Sequence, residues 1–229
     1  MAVTHAAIRA RIDAACRRVG RAPSEVRLVA VSKTVPPERL RAAVASGIAL
    51  FGENRVQEAA AKTDEVPEAI WHLIGPLQSN KARRAVETFA TIETVDSGAL
   101  AVRLDRLAGE VHPGAPLPVF LQANIDDDPV KAGFNPATLR SALSAILELP
   151  NLRVDGLMTV GRLVHEPEEA RATFAALRHL RDDLRVDSPS LGTELSMGMS
   201  DNFEIAVEEG ATFVRVGRAL FGARPGGAV

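Results

Sequence analysis

Short apolar runs alternate with longer amphipathic stretches along almost the whole chain. The runs cover positions 28–31, 49–51, 71–74, 92–95, 119–125, 154–158, 194–197 and 213–216, which makes eight. Between them, positions 37–46, 79–89, 98–108, 136–147, 167–184 and 201–209 repeat apolar residues at helical spacing, several opened by proline or by a Ser/Asp cap. A further amphipathic segment, positions 4–19, precedes the first run. Strand-like runs alternating with helical ones predict βαβ units on a parallel sheet, and eight of them predict closure into a (β/α)8 TIM barrel with an extra N-terminal helix. The length of 229 residues fits one such α/β domain, positions 1–229.

A barrel of this kind builds its site at the C-terminal ends of the strands and in the loops that follow. Polar residues ending the runs are therefore the candidates: Ser32 and Lys33, positions 52–55, His72 and Gly75, Asn124, Met158 with Thr159, positions 196–201 and positions 215–218. All are expected at one mouth. The loop at 126–130 and the glycine-containing tail at 224–229 are expected to be the flexible parts.

Composition narrows the list. Lysine occurs only at 33, 62, 81 and 131, so 23 of the 27 basic residues are arginine. Arginine keeps its proton, whereas a desolvated lysine can present a nucleophilic amine. Lys62 and Lys81 fall in polar helical stretches and read as solvated. Lys33 follows the buried run Leu28-Val29-Ala30-Val31, where burial lowers a lysine from its ordinary value of about 10.4. A neutral amine there can condense with an aldehyde; the alternative is an ammonium that snorkels to water or pairs with Glu53.

At the other end of the chain, Ser196-Met197-Gly198-Met199-Ser200-Asp201 and Val216-Gly217-Arg218 supply glycine, hydroxyl and backbone N–H groups after the seventh and eighth runs. Those two loops frequently hold phosphate in such barrels; N-capping by Ser200 or Asp201 is the structural alternative. Arg215, between Val214 and Val216, points into the mouth or pairs with a carboxylate such as Glu194 or Asp155.

Other chemistries lack their residues. Net charge is −2 with no basic stripe, which argues against nucleic acid, and no apolar run suits a membrane span or signal peptide. Cys16 stands alone, so the chain offers no internal disulfide and the cytoplasm is the expected compartment. His5, His72, His112, His165 and His179 show no metal-ligand spacing.

Six motifs in order through nearly the whole chain carry a resemblance: Val31-Ser32-Lys33-Thr34, Phe51-Gly52-Glu53-Asn54-Arg55-Val56-Gln57-Glu58, His72-Leu73-Ile74-Gly75-Pro76-Leu77-Gln78-Ser79-Asn80-Lys81, Gly156-Leu157-Met158-Thr159, positions 195–201 and positions 214–222. They resemble the pyridoxal phosphate homeostasis proteins, the YggS/PROSC family. The resemblance implies a PLP-binding barrel of fold type III, like the alanine racemase N-terminal domain without its second β domain. It implies a Schiff base between pyridoxal 5'-phosphate and Lys33. Phosphate would be held by Ser200 and the backbone of Gly217 and Arg218, Arg215 would face the pyridine nitrogen, Asn54 and Met158 would line the ring, and Lys131 matches a second family lysine near the mouth. This chain departs from common family residues at Arg55 (tyrosine in many members), Asn202 (aspartate) and Arg218 (threonine), which argues against a phosphate contact from the Arg218 side chain.

Two functions follow from that likeness: a carrier or regulator in vitamin B6 homeostasis, delivering cofactor to PLP-dependent apoenzymes, or a PLP-dependent amino-acid racemase. Racemisation by two bases needs an acid/base group on each face of the substrate. Racemases of this fold pair lysine with tyrosine, and this chain has no tyrosine. His72 or His165 is the remaining substitute, and nothing in the sequence sets either opposite Lys33. The carrier, a monomer without turnover, is the favoured expectation; a lysine-dependent aldolase on the same barrel is a third.

Overall fold

The computed structural model describes residues 1–162 and 164–222, so the segment 224–229, read above as a flexible tail, lies outside the described residues. Strands β1 (Arg27–Val31), β2 (Leu50–Glu53), β3 (Ile70–Leu73), β4 (Thr91–Val95), β5 (Leu117–Gln122), β6 (Leu152–Met158), β7 (Glu194–Met199) and β8 (Phe213–Val216) pair in parallel in sequence order. β8 returns to β1 through the registers Leu28↔Val214 and Ala30↔Val216, which closes the barrel. The eight predicted runs are these eight strands.

Helices α1 (Ala2–Arg18), α2 (Pro37–Val44), α3 (Val56–Thr63), α4 (Ala82–Thr88), α5 (Gly98–Val111), α6 (Pro136–Leu147), α7 (Arg171–Asp187), α8 (Phe203–Glu208) and α9 (Arg218–Phe221) surround it. Their starts follow local chemistry. Ser97 Oγ accepts the Leu100 N–H at 3.3 Å and opens α5, and Asn135 Oδ1 accepts the Thr138 N–H at 2.8 Å with Pro136 as the first helical residue of α6. α8 starts later than the pattern predicts, because Asn202 Oδ1 turns back to the Met199 N–H at 2.8 Å and holds 200–202 as a turn. That turn follows Gly198, whose φ of +89° favours glycine and where a Cβ would lie 2.4 Å from Ala206 Cβ.

The outer core lies between the strands and the helices. α1 covers α8 through Arg11, which grips Glu204 with two bonds of 2.7 and 2.8 Å, and through Arg18 on Glu208 at 2.6 Å. The barrel's own interior has an apolar cluster of Val29, Phe120, Met158 and Phe213. Beside it runs a polar chain of buried His72, Glu93, Ser196 and Arg215. Barrel interiors are ordinarily packed with branched apolar side chains, so that chain is the feature the fold alone does not call for.

Candidate functional site

Parallel closure gathers the ends of all eight strands on one rim, and all seven residues singled out above for a cofactor stand within two positions of a strand's C-terminal end. Lys33 and Asn54 follow β1 and β2, Met158 ends β6, Ser200 follows β7, and Gly217 with Arg218 follows β8. Arg215, the seventh, is the penultimate residue of β8.

Lys33 is half-buried, and the residues on both sides of it are tightly specified. Ser32 is fully buried; its N–H donates to the Gly52 carbonyl at 3.0 Å and its hydroxyl donates to Glu53 Oε1 at 2.8 Å. Thr34 has a φ of +63°, a left-handed conformation that costs a non-glycine residue about 1 kcal/mol or more. Lys62, expected in solvent, is instead 9% exposed: its ammonium donates to Glu53 Oε1 at 2.6 Å and to the Ser32 carbonyl at 2.8 Å. The reason is spacing: Lys62 follows Val56 and Ala59 at three-residue intervals and shares their buried face of α3. A buried lysine–glutamate pair thus clamps the end of β1 from beneath.

Beside the end of β1, after the neighbouring strand β8, the backbone N–H groups of Gly217 and Ala219 both donate to Ser200 Oγ, each at 3.3 Å. Two N–H groups converging on one oxygen is the donor arrangement an anion oxygen requires. Gly217 also permits the close approach of β1 and β8 ends, since a Cβ there would sit 3.2 Å from Val31 Cβ. The Arg218 side chain turns away to pair with Asp201.

Arg215 is 5% exposed and points inward. Its Nη1 donates to Ser196 Oγ at 2.6 Å and its Nη2 to the Thr159 carbonyl at 2.7 Å. Its carboxylate is Glu93, with Oε2 at 4.0 Å, and neither Glu194 nor Asp155 as anticipated: those two pair with Arg27 and Arg153 at the N-terminal end of the barrel. Ser196 bridges the pair by donating to Glu93 Oε2 at 2.5 Å, and His72 Nδ1 lies 2.7 Å from Glu93 Oε1. Burial alone would push the Glu93 carboxyl up. The hydrogen bond and charge of His72, then the Arg215 charge and the Ser196 hydroxyl, outweigh it and hold the group below the usual glutamate range. Burial pulls the Arg215 guanidinium down while Glu93 opposes it.

Two further expectations change. His72 is a mid-strand residue held by Glu93 below the level of Arg215, and it lines a cavity at the opposite, N-terminal end of the barrel. Asn124 spends its side chain on its own loop, donating to the Asp128 carbonyl at 2.9 Å and accepting the Asp128 N–H at 3.1 Å, so the 126–130 loop is knitted from within. Lys131 in that loop pairs with Asp128 at 3.3 Å. Sequence reasoning missed Glu93 and, though it named Ser196 among the rim candidates, missed its bond to that acid; the available signal was a lone acid inside the fully buried strand β4.

These features define a class. The family model for the alanine racemase N-terminal domain matches residues 3–225, and the chain belongs to that family. Within it, the chain belongs with the pyridoxal phosphate homeostasis proteins: it is 45% identical over 226 residues to the protein of that name from Pseudomonas aeruginosa, covering 97% of this chain and 95% of that one. The Escherichia coli K12 protein of the same name is 41% identical, covering 96% and 94%. Among solved structures, PipY of Synechococcus elongatus without PLP superposes with a TM-score of 0.87 at 46% identity, covering 97% of this chain and 100% of that one. The same protein with PLP bound gives 0.82, covering 92% and 100%. An alanine racemase from Clostridium difficile shares the fold at a TM-score of 0.73 and 15% identity, with 88% of this chain matched to 56% of that one.

Proposed function

We propose that this chain, acting as one domain, holds pyridoxal 5'-phosphate as a Schiff base on Lys33 and serves as a carrier or regulator of that cofactor. The observation that carries the reading is the pair of N–H groups, from Gly217 and Ala219, aimed at one oxygen just after the strand next to β1, whose clamped end carries Lys33. The names and the PLP-bound structure of the relatives support it.

Each residue then has a task. The Gly217 and Arg218 backbone, with the Ser200 hydroxyl, binds the phosphate; Asn54 and Met158 line the ring. Arg215 meets the pyridine nitrogen. A bound pyridoxal phosphate supplies an aldehyde for a lysine amine and a conjugated ring that can accept electrons. An arginine facing the ring nitrogen has no proton to give up at physiological pH, so the nitrogen stays unprotonated and the ring draws electrons weakly. That favours holding the cofactor over turning over an amino acid. The absence of tyrosine from the sequence and the engagement of His72 with Glu93 away from the rim point the same way.

Delivery to PLP-dependent apoenzymes, a monomeric state and a cytoplasmic location complete the proposal. Among the described residues no helix is long and apolar enough to cross a membrane. The test uses cofactor-loaded protein mixed with a PLP-dependent apoenzyme and, separately, with single enantiomers of amino acids. Gain of apoenzyme activity without inversion of any amino acid is expected. Inversion at ordinary enzymatic rates, lost in Lys33→Ala, would overturn the carrier reading in favour of a racemase.

A further inference from the structure

A cavity of about 570 Å³ opens at the N-terminal end of the barrel, opposite the rim that carries Lys33. Sites in barrel enzymes lie at the other end, and this end is ordinarily filled for stability. Here Leu28, Leu50, Ile70, Phe120 and Phe213 form apolar walls. Ile70 keeps 49% of its surface exposed at the opening, a large apolar side chain left in water by the unfilled space.

The inner end is polar. His72 and Thr91 are direct partners across β3 and β4, and both line the cavity. Among the described residues, His72 Nε2 and the Thr91 hydroxyl make no hydrogen bond within the protein, although His72 is 5% and Thr91 7% exposed. Neither is a sealed-off unpaired atom, so both are wetted from the cavity and available to a ligand head. Such a head has to satisfy two adjacent groups at once, one of them an imidazole whose other nitrogen is fixed on a carboxylate. Around the opening stand Arg27 from β1, Arg9 and His5 from α1, and Arg153 from β6, against one lining carboxylate, Asp155. Glu194 from β7 holds Arg27, Asp13 approaches Arg9 at 3.8 Å, and Asp155 holds Arg153.

We propose that this cavity is a second small-molecule site, taking a monocarboxylate with a short apolar body whose head is held by His72 and Thr91. Its volume lies within the range of about 300–1,000 Å³ usual for small-ligand sites. A carboxylate at Nε2 fixes the ring from its cavity side, and the same ring is held on Glu93 Oε1 through Nδ1 at 2.7 Å. Glu93 is the same carboxylate that Ser196 links to Arg215, so occupancy of the lower cavity alters the hydrogen bonding of the arginine at the rim. On the cofactor reading above, that arginine is the group facing the ring.

The test is a hexanoate titration of the full, isotope-labelled chain, read on the histidine ring signals and the Arg215 Nε–H signal, with acetate and hexan-1-ol as controls. Expected is saturable movement of the His72 signal, with His112, His165 and His179 unmoved, and at least tenfold weaker binding of both controls. Asp155→Asn, which frees Arg153, tightens hexanoate severalfold and Arg153→Gln weakens it. Ser196→Ala leaves the His72 response and abolishes that of Arg215. No saturable movement of His72 at about 10 mM hexanoate, ten times a weak Kd of about 1 mM, overturns the site. Movement of His72 with Arg215 unmoved in the unsubstituted chain overturns the coupling. Both readouts are taken without cofactor, so the outcome stands whether or not the chain binds one.

Discussion

Replacing Glu93 by glutamine keeps the shape of the side chain and removes its charge from the centre of the barrel. Arg215, 5% exposed, then carries a buried cation whose nearest carboxylate oxygen, at 4.0 Å, has gone. Two unit charges at that separation interact by about 4 kcal/mol at an effective dielectric of about 20. Removing one member of a buried pair typically costs about 3–5 kcal/mol, because the other is left uncompensated. Glu93→Gln is therefore expected to lose about 3–5 kcal/mol, which for a domain of this size lowers Tm by roughly 6–20 °C. The assay is urea and thermal unfolding at neutral pH, run as a cycle with Arg215→Met and the double variant. Removing both charges restores an apolar-compatible interior, so the double variant should be more stable than Glu93→Gln alone. A loss under about 1 kcal/mol for Glu93→Gln, or strictly additive losses in the cycle, would refute the pairing as described.

The Glu93 carboxyl is held below its ordinary value in the folded chain, so it contributes stability that is present above about pH 4.3 and is lost as pH falls through its folded value. The stability gap between the natural chain and Glu93→Gln should therefore shrink in acid, measured as urea midpoints from neutral pH downward; a gap that widens in acid contradicts the assignment. Lys62→Met strips the donor from Glu53 and from the Ser32 carbonyl, and a loss of about 3–5 kcal/mol in urea unfolding is expected, against almost nothing for a lysine in solvent. Cys16 is fully buried and burial pushes its thiol up, so its reaction with a disulfide reagent should be on the order of a hundredfold slower in the folded chain than in urea.

The strand–helix alternation was legible because each barrel strand is a short apolar run bounded by polar turns, and period alone separates it from its helix. The end of β5 was not: the apolar run continues through Ile125, but Asn124 captures backbone groups of 128 and 131 and ends the ladder at Gln122. Strand-end residues such as Lys33, Ser200 and Gly217 could be named because closure of the barrel turns sequence position into spatial position. What the sequence conceals is which interior side chains meet across the barrel. Glu93 and Arg215 are more than a hundred residues apart, and only the eight-strand closure with its registers brings them to one carboxylate–guanidinium pair. Lys62 misled for a related reason, since a polar helix in sequence can turn one lysine inward when a carboxylate waits there.

The central claim is that Lys33 is the residue that takes the cofactor, and the chain has only four lysines with which to test it. Pyridoxal 5'-phosphate is added to the purified protein, the product is reduced with borohydride, and peptide masses locate the fixed group. The account predicts one equivalent on Lys33, lost in Lys33→Ala and weakened by Ser200→Ala. Label on Lys62, Lys81 or Lys131 with Lys33 unmodified, or no fixed label at all, would contradict it.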